Sequence, residues 1–557
     1  MIAPLLLFRS RLAAPERTIL DASRVITSVI RGFAGTLTIP ASIFFAPKLR
    51  SNLPSTLTVI SRLSSRRAGT RFNSRGIDDD GNVANFVETE TVLWIPPGIS
   101  FSYTQTRGSV PVFWEQTPGL LPGQQKIEIT RSSEATRRAF DKHFEALELK
   151  YGAVHILNLL SESKPGESEL SAQFREHVAR RSRIQQSGLA SSSSFELHLL
   201  KMTEFDFHAE TRGPLGYEAS SQIRHIIDHA LDGFGFFISE QRSTPKPQRS
   251  DELKENATTI ILQQEGVFRT NCLDCLDRTN LVQTIISLMA LESFLNQQGG
   301  QVVSEVQIRH STLWADNGDA LSKIYAGTGA LKSSFTRHGK MSLAGAFADA
   351  RKSATRLYVN TFADKARQNT IDVLLGRLAN QEPIHLYDPI NDLVTAEVNR
   401  RVEEYASSKS VKIWVGTFNL NGKDSGPATD LYPWLLALRE QNGEDPTLIA
   451  VAFQEIVELS PQQIMSTDPR PRIVWEEAVK KCLNAHAERF GSSKYVLLRS
   501  GQLVGAALLL YVRVDAIGDV KNVEGNVKKA STLLSAWYHI QFPNIFAEDW
   551  SLWNGRQ

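Results

Sequence analysis

Apolar and polar residues alternate along some segments of the chain and recur at helical spacing along others. Alternation predicts strands at residues 56–60, 101–103 and 205–210. Helical spacing predicts helices at residues 135–151, 221–231 and 281–295. Apolar runs that begin at Val411 and Leu448 predict two more strands. The mixture of the two patterns along one chain indicates an α/β protein.

Polar stretches interrupt these elements and predict loops. Residues 185–194 are rich in Ser, Gly and Gln, and residues 244–255 contain two prolines, so both predict surface loops. The acidic triplet at residues 78–80 is followed by Gly and Asn, which predicts a turn and not a metal site. The polar residues 397–410 predict a connector between two domains.

Length and composition narrow the function only a little. A chain of 557 residues is long enough for two or three domains, and a formal net charge of +2 indicates no particular partner. Basic residues form no stripe with interleaved aromatics, which argues against nucleic-acid binding. Three cysteines argue against a disulfide scaffold and fit a reducing compartment. No apolar stretch reaches the length of a bilayer span, so we expect no transmembrane segment.

The segment 269–280 reads Arg-Thr-Asn-Cys-Leu-Asp-Cys-Leu-Asp-Arg-Thr-Asn and carries the clearest chemistry in the chain. Cys272 is followed by five residues and then by Arg278 and Thr279. Val267 and Phe268 predict the end of a strand before the segment, and a helix is predicted after it. A loop between a strand and a helix N-terminus can bind a phosphate through its backbone amides.

A thiolate at Cys272 could attack phosphorus, because only deprotonated cysteine is nucleophilic. Arg278 and the helix amides would lower the pKa of the thiol, and the guanidinium could hold two phosphoryl oxygens. Thr279 could donate a hydrogen bond to the sulfur or help its departure. Asp274 or Asp277 could protonate the leaving alkoxide or activate water later.

Other chemistries fit part of the same segment. Cys272 and Cys275 have the spacing of half a zinc site or of a redox pair, and both could also be ordinary buried cysteines. Cys482 is the only other cysteine, and no nearby pair of histidines completes a zinc site. A redox pair would not need Arg278, so the whole segment favours phosphatase chemistry.

The segment 269–280 resembles the signature of the Sac-type phosphoinositide phosphatases. Four more segments resemble blocks of the same catalytic region, at residues 71–90, 108–115, 313–319 and 325–332. The resemblance implies a phosphoinositide headgroup as substrate, no metal at this site, Cys272 as nucleophile and Arg278 as phosphate clamp. It leaves the general acid open.

Further residues are candidates for contacts with the substrate. Asp206 or His208 could transfer a proton from the predicted strand 205–210, although a solvated face fits them as well. Asn271 would contact the bound headgroup. A basic cluster would contact headgroup phosphates or an anionic bilayer, or would simply face solvent, and its members are Lys332, Arg337, His338 and Lys340.

A second resemblance covers the later part of the chain. Residues 412–422 and 448–458 resemble the start of inositol polyphosphate 5-phosphatases, which have an endonuclease/exonuclease/phosphatase-like α/β sandwich. The match implies Asn419 and Glu455 as residues of a Mg²⁺ site, because oxygen ligands suit this hard cation. Both residues could instead cap the ends of strands.

The two resemblances together imply a synaptojanin-like protein of the fungal type that is truncated at both ends. The expected layout is a remnant of the Sac N-terminal subdomain at 1–60, a Sac catalytic domain with a Cys-x5-Arg phosphate loop at 61–395, a linker at 396–410, an incomplete 5-phosphatase domain at 411–529 and a divergent tail at 530–557. We expect the second domain to be inactive, with its Mg²⁺ site unproductive.

The expected function is hydrolysis of phosphoinositide monoesters through a cysteinyl-phosphate intermediate. The alternative is a catalytically impaired protein that binds phosphoinositides or acts as a scaffold. The family resemblance implies a cytoplasmic protein that lies peripherally on membranes, with a role in lipid metabolism and membrane trafficking. It also implies trafficking or actin-linked protein partners.

Overall fold

The chain folds into two compact units, which comprise residues 1–128 with 139–386, and residues 129–138 with 387–557. The structure is a computed structural model. It describes residues 9, 12–23, 31–43, 46–49, 52–117, 126–189, 199–213, 216–242, 257–331, 333–338, 349, 351–353, 355–356, 359, 363–375, 389–405, 410–423, 430–435, 445–458, 460, 463, 468–529 and 534–541.

A large mixed sheet forms the framework of the first unit. The strands up to residue 271 are β1 (Gly32–Ile39), β2 (Ser55–Leu63), β3 (Val87–Ile95), β4 (Ile99–Arg107), β5 (Trp114–Thr117), β6 (Lys126–Ile129), β7 (Ala153–Asn158), β8 (Leu200–Glu204), β9 (Phe237–Arg242), β10 (Ala257–Leu262) and β11 (Gly266–Asn271). Seven of them follow the order β1-β2-β3-β4-β11-β7-β8, while β9 pairs with β4 and β10. Strands β1 to β4 are antiparallel, whereas β4, β11, β7 and β8 are parallel neighbours.

The α-helices whose bounds the structure describes up to residue 375 are α1 (Ala14–Ala22), α2 (Ser133–Tyr151), α3 (Pro165–Leu189), α4 (Phe207–Glu210), α5 (Ile223–Phe234), α6 (Asp277–Gln297), α7 (Ser304–Ala326), α8 (Ser333–His338) and α9 (Asp364–Leu375). Helix α6 is buried over most of its length and packs against the sheet. The rings of Phe101 on β4 and Phe294 on α6 stack with their centroids 4.8 Å apart. This contact holds the C-terminal part of α6 against β4.

Most elements predicted in the first unit are confirmed, with the boundaries extended. Strands β2 and β4 contain the predicted segments 56–60 and 101–103, and helices α2, α5 and α6 contain most of the predicted helical runs. The turn at residues 78–80 is also confirmed, since the Asp78 carboxylate accepts hydrogen bonds from the backbone amides of Asp80 and Asn82.

Two predictions in the first unit are wrong. The predicted loop 185–194 begins inside α3, which continues to Leu189. Arg180 and Arg181 anchor this helix to α2 through Asp141 and Glu148, and a helix that has formed extends at little cost through polar residues. The predicted strand 205–210 is the short helix α4 instead. The remaining residues 190–194 and the predicted loop 244–255 lie outside the described residues.

The second unit contains a four-stranded sheet in the order β12-β13-β15-β14. Its strands and those of a following hairpin are β12 (Ile413–Asn419), β13 (Leu448–Gln454), β14 (Tyr495–Leu503), β15 (Ala506–Arg513), β16 (Lys521–Lys529) and β17 (Leu534–Gln541). The helices from residue 389 onward are α10 (Pro389–Arg400), α11 (Val402–Tyr405), α12 (Tyr432–Leu435) and α13 (Arg470–Phe490). Strands β12 and β13 are parallel, and the other pairs are antiparallel.

Helix α13 covers one face of this sheet. Its Trp475, Val479 and Leu483 share a buried cluster with Val451 and Phe453 of β13. The two strands predicted from Val411 and Leu448 are confirmed as β12 and β13. The first part of the predicted connector is helical, as α10 and α11. Among the described helices, none has the length and apolar composition that crossing a bilayer would require.

Candidate active site

The segment from Cys272 to Leu276 forms a loop between β11 and α6. All six residues of β11 are buried, and the strand lies between β4 and β7, both parallel to it. The carboxyl ends of these three strands therefore meet at one edge of the sheet, which is a common place for ligand sites in α/β folds. Cys275 has a φ of 51°, so the loop turns through the left-handed region at this residue.

The sulfur of Cys272 accepts two hydrogen bonds inside this loop. The backbone amide of Cys275 lies 3.0 Å from Sγ, and the hydroxyl Oγ1 of Thr279 lies 3.3 Å from it. Burial on its own would raise the pKa of the thiol. The side chain of Cys275, the positive charge of Arg278 and the hydroxyl of Thr279 outweigh burial and hold the pKa of Cys272 well below its ordinary value. The loop thus stabilises a thiolate.

Cys275 differs sharply from Cys272 although it is only three residues away. Its Sγ donates to the carbonyl oxygen of Gly108 at 2.9 Å. Burial and the neighbouring Cys272 sulfur raise the pKa of Cys275 well above the ordinary thiol value. All three cysteines are free, and no cluster of three or more metal-ligating His, Cys, Asp or Glu side chains occurs in the described part of the chain.

Arg278 is held at the side of the loop by two acceptors. Its Nη1 donates to the carbonyl oxygen of Leu159 and to Oε2 of Glu167, both at 3.1 Å. Burial opposes the charged guanidinium, but the Cys272 thiolate and the Glu167 carboxylate raise the pKa of Arg278, so it stays protonated. The side chain is 16% exposed and therefore still reaches the surface of the site.

The two aspartates of the loop lie in opposite environments. Asp274 forms ion pairs with Arg71 and Arg75, each at 2.7 Å. These two guanidiniums overcome the effect of burial and hold the pKa of Asp274 well below its usual range. Sequence reasoning identified neither pairing, because Arg71 and Arg75 lie about 200 residues before Asp274.

Asp277 is the first residue of α6 and has a weaker counter-charge. Its Oδ1 accepts from the backbone amide of Leu331 at 2.7 Å, and its Oδ2 lies 3.4 Å from Nη1 of Arg356. Burial raises the pKa of Asp277 to about 6 in spite of these two contacts. The carboxyl group can therefore hold a proton close to neutral pH, which Asp274 cannot.

The other candidate substrate contacts are spread more widely. Asn271 is fully buried, and its Nδ2 donates to Oδ1 of Asn158 at 2.8 Å, so its side chain serves the junction of β11 and β7. Arg337 on α8 forms an ion pair with Asp316 of α7. Lys332 and Lys340 lie outside the described residues. Substrate contacts for all four residues stay a prediction.

Asp206 and His208 do not lie on a strand. Asp206 is the N-cap of α4, where its Oδ1 accepts from the backbone amides of His208 and Ala209 at 3.0 Å, a typical role for aspartate at a helix start. Nε2 of His208 lies 2.7 Å from Nζ of Lys164, and burial together with Arg278 and Lys164 lowers the pKa of His208. The alternation Phe-Asp-Phe-His that suggested a strand is also compatible with this capped turn.

Two buried charged residues near the loop were missed in the sequence. Glu167 in the first turn of α3 is 3% exposed and pairs with Arg278. Arg107 at the end of β4 is 1% exposed, and its Nη2 donates to Oδ1 of Asn280 at 3.1 Å. Burial lowers the pKa of Arg107 to about 10. A glutamate in the first turn of a helix is common, so the sequence carries no signal for the role of Glu167.

In the second unit, Asn419 and Glu455 lie at the same edge of the sheet. Asn419 ends β12 and is paired in register with Gln454, which directly precedes Glu455. The Asn419 Oδ1 accepts from the backbone amide of Asn421 at 2.8 Å, and the Glu455 carbonyl oxygen accepts from Gly422 at 2.7 Å. The Asn419 Oδ1 keeps a second lone pair, and the hydrogen bond of Glu455 uses its main-chain oxygen, so both side chains still offer oxygen donors.

Two protein families match this chain. The SacI homology domain matches residues 6–212, which include β1 to β8 but end before the Cys272 loop. The endonuclease/exonuclease/phosphatase family 2 matches residues 416–534. The order of the two matches along the chain agrees with the order of the two compact units.

Curated relatives match the chain across both of these regions. Inositol-1,4,5-trisphosphate 5-phosphatase 1 of Schizosaccharomyces pombe is 46% identical over 532 residues, which is 95% of this chain and 44% of the relative. Polyphosphatidylinositol phosphatase INP53 of Saccharomyces cerevisiae is 40% identical over 538 residues, again 95% and 44%. Human synaptojanin-1 is 35% identical over 502 residues, 84% of this chain and 29% of the relative. The chain thus spans less than half the length of these relatives.

A solved structure is similar to part of the chain. It is the inositol polyphosphate 5-phosphatase domain of Spsynaptojanin in complex with inositol (1,4)-bisphosphate and a calcium ion. It is 35% identical, covers 28% of this chain and 44% of its own chain, and has a TM-score of 0.24.

Proposed function

This chain belongs to the synaptojanin-like phosphoinositide phosphatase family, and we propose that its first unit hydrolyses phosphate monoesters of phosphoinositides at Cys272. The observation that carries the proposal is the sulfur of Cys272, which accepts hydrogen bonds from Cys275 and Thr279 beside the guanidinium of Arg278. This arrangement supplies a nucleophile and a phosphate-binding group at the same strand end.

In the first step the Cys272 thiolate attacks the phosphorus of the ester. A bond forms between Sγ and phosphorus, and the bond from phosphorus to the inositol oxygen breaks. Arg278 binds the equatorial oxygens of the transferring group, because a guanidinium stabilises charge spread over several oxygens. The free amides at the start of α6 add to this stabilisation.

Asp277 protonates the departing inositol oxygen. A general acid must hold a proton near the working pH, and Asp277 has a pKa of about 6 whereas the pKa of Asp274 is far lower. Asp274 therefore has a different task, which is to hold Arg71 and Arg75 against the loop. Of the two candidate acids, Asp277 is the one that the electrostatics favour.

The cysteinyl-phosphate is then hydrolysed by water. The oxygen of water bonds to phosphorus, the bond from phosphorus to sulfur breaks, and the ionised Asp277 takes the proton that the water loses. The hydroxyl of Thr279 donates to the sulfur as it leaves as a thiolate. The products are inorganic phosphate and the dephosphorylated lipid, and the protein returns to its starting state.

No metal is needed in these steps, and the substrate class requires the protein to meet a membrane surface. We propose that the protein associates peripherally with the surface of the bilayer. Arg337 and the neighbouring lysines would add to it through anionic lipid, at about 1 kcal/mol for each basic residue near the surface. Roles in lipid metabolism and trafficking, and protein partners, follow from the same family membership.

The second unit fits a hard divalent cation. Asn419 and Glu455 would hold Mg²⁺ through an amide and a carboxylate oxygen, since both offer donors at one sheet edge. Bound there, the cation would act as a Lewis acid toward a phosphoryl oxygen. Loss of 5-phosphatase activity in this chain stays a prediction.

The test is phosphate release from short-chain phosphoinositides by the full chain in the presence of a chelator. The wild type should release phosphate, and Cys272→Ser should not, while both keep the same thermal transition. Absence of release from a folded wild type would refute the proposal and favour a protein that only binds the lipid. Magnesium-dependent release that survives in Cys272→Ser would refute the predicted loss of 5-phosphatase activity.

A further inference from the structure

We propose that Glu167 is a positioning residue, which holds one nitrogen of Arg278 so that the opposite edge of the guanidinium faces the phosphoryl group. The inference rests on the proposed function of the Cys272 loop. No substrate contact is assigned to Glu167 itself, because it acts through Arg278.

Contacts other than the one with Arg278 also restrict the orientation of the Glu167 carboxylate. Its Oε2 accepts from the backbone amide of Ser161 at 3.0 Å and from Nη1 of Arg278 at 3.1 Å. Nζ of Lys164 lies 3.6 Å from the other oxygen, Oε1. With 3% of the side chain exposed, the carboxylate has little freedom to turn away.

Leu159 provides the second hydrogen-bond acceptor for Nη1 of Arg278. Its carbonyl oxygen lies 3.1 Å from Nη1 of Arg278, so both acceptors use the N–H groups of one terminal nitrogen. Within the described residues, Nε and Nη2 have no hydrogen-bond acceptor. These two nitrogens form the adjacent edge of the planar fork, whose parallel N–H groups match two oxygens of a phosphoryl group.

Pairing Arg278 with a buried carboxylate weakens its positive charge at the site, so electrostatic attraction alone does not explain the pair. A carboxylate beside Arg278 neutralises part of the charge that would otherwise lower the pKa of Cys272 and attract the substrate. A buried ion pair is also no reliable source of stability, because desolvation offsets the attraction. Orientation explains the pairing, since a small misplacement of a positioning group lowers rates strongly.

The experiment compares Glu167→Gln and Glu167→Asp with a matched control, Glu162→Gln. Glu162 lies five residues earlier, is 65% exposed, and its carboxylate pairs with Arg175 instead of Arg278. With the full chain and a short-chain phosphoinositide, both Glu167 variants should lower kcat by about tenfold or more, with a smaller change in KM. The control should stay within about twofold of the wild type.

A double variant shows whether Glu167 acts through Arg278. In an Arg278→Lys background, Glu167→Gln should cause less than about a twofold further loss, because the fork it orients is absent. Losses that multiply would overturn the proposal, and so would Glu167 variants as active as the wild type. Loss of the native thermal transition in both Glu167 variants would also overturn it, because Glu167 would then hold the fold.

A second readout does not depend on turnover. Inorganic phosphate should protect Cys272 of the wild type from alkylation by iodoacetamide, and Glu167→Gln should need about fivefold more phosphate for the same protection. Its alkylation rate without phosphate should not fall, because removing the carboxylate does not weaken the charge of Arg278. A wild type that is protected by phosphate but releases none from lipid would refute the proposed function and leave this inference standing. Equal protection in Glu167→Gln would overturn it.

Discussion

Replacing Asp277 by asparagine should make the protein more stable at alkaline pH and less active at the same time. Asparagine keeps the shape of the side chain and an oxygen that can accept from the Leu331 amide. It removes a carboxyl group that burial keeps partly protonated, with a pKa of about 6. Burial therefore destabilises the ionised carboxylate, and the same effect lets Asp277 hold the proton that the proposed mechanism requires.

The magnitude follows from the difference between the folded and unfolded proton affinities. The pKa of Asp277 is about 6 in the folded protein against an ordinary value of 3.8. A raised value means that the stabilising effect of the proton is fully present below about pH 4 and is lost as the pH rises through about 6. Two pKa units correspond to roughly 3 kcal/mol, and the free energy of unfolding is lower by this amount above about pH 7, where Asp277 is ionised.

Thermal unfolding of the full chain at several pH values measures this effect. Asp277→Asn should melt at about the same temperature as the wild type near pH 4 and at a higher temperature near pH 8. The difference between pH 5 and pH 8 should be about 1.5 kcal/mol, because part of the loss has already occurred at pH 5. The control Asp80→Asn, whose carboxylate is 62% exposed, should show no such pH-dependent gain.

Activity should change in the opposite direction. A missing general acid lowers kcat by about 10²-fold or more, and the fall of wild-type kcat/KM above about pH 6 should disappear in Asp277→Asn. A variant no more stable than the wild type at pH 8 would refute the raised pKa. A variant with undiminished kcat would refute the assignment of the acid and return Asp274 to consideration.

Two further predictions concern the same loop. Iodoacetamide should alkylate Cys272 well before Cys275 at neutral pH, because the pKa of Cys272 is lowered and that of Cys275 is raised. Peptide mass spectrometry measures the labelling, and Thr279→Ala should slow the labelling of Cys272. Equal labelling of both cysteines would contradict the described hydrogen bonds. Asp274→Asn should lower the free energy of unfolding by about 3–5 kcal/mol in thermal unfolding, because Arg71 and Arg75 would lose their shared carboxylate. A decrease below about 1 kcal/mol would mean that the two guanidiniums find other acceptors.

The sequence predicted the strand, loop and helix around Cys272 because each has a local cause. Apolar residues of β11 are buried on both faces, and α6 is apolar enough to pack in the core. The pairs that tune the loop were not predictable in this way. Glu167 precedes Arg278 by 111 residues, and Arg75 precedes Asp274 by 199, so only the folded sheet brings them together.

The short helix α4 shows a different limit of sequence patterns. Phe205 and Phe207 are both buried, as an alternating strand would require. Asp206 nevertheless caps a helical turn, because a short polar side chain can satisfy the free amides at a helix start. Alternation over only a few residues does not distinguish these two outcomes, and tertiary contacts decide between them.

The charges around the loop explain why Asp277 rather than Asp274 keeps a proton. The carboxylates of Asp274, Glu167 and Asp277 pair with four guanidiniums, which belong to Arg71, Arg75, Arg278 and Arg356. Three of these cations already have close anionic partners at 3.1 Å or less, and only Arg356 is left for Asp277, at 3.4 Å. An incoming phosphate adds negative charge beside these groups, and this favours protonation of the least compensated carboxylate. Under the proposed mechanism, substrate binding would thus favour the protonated Asp277 that the first step requires.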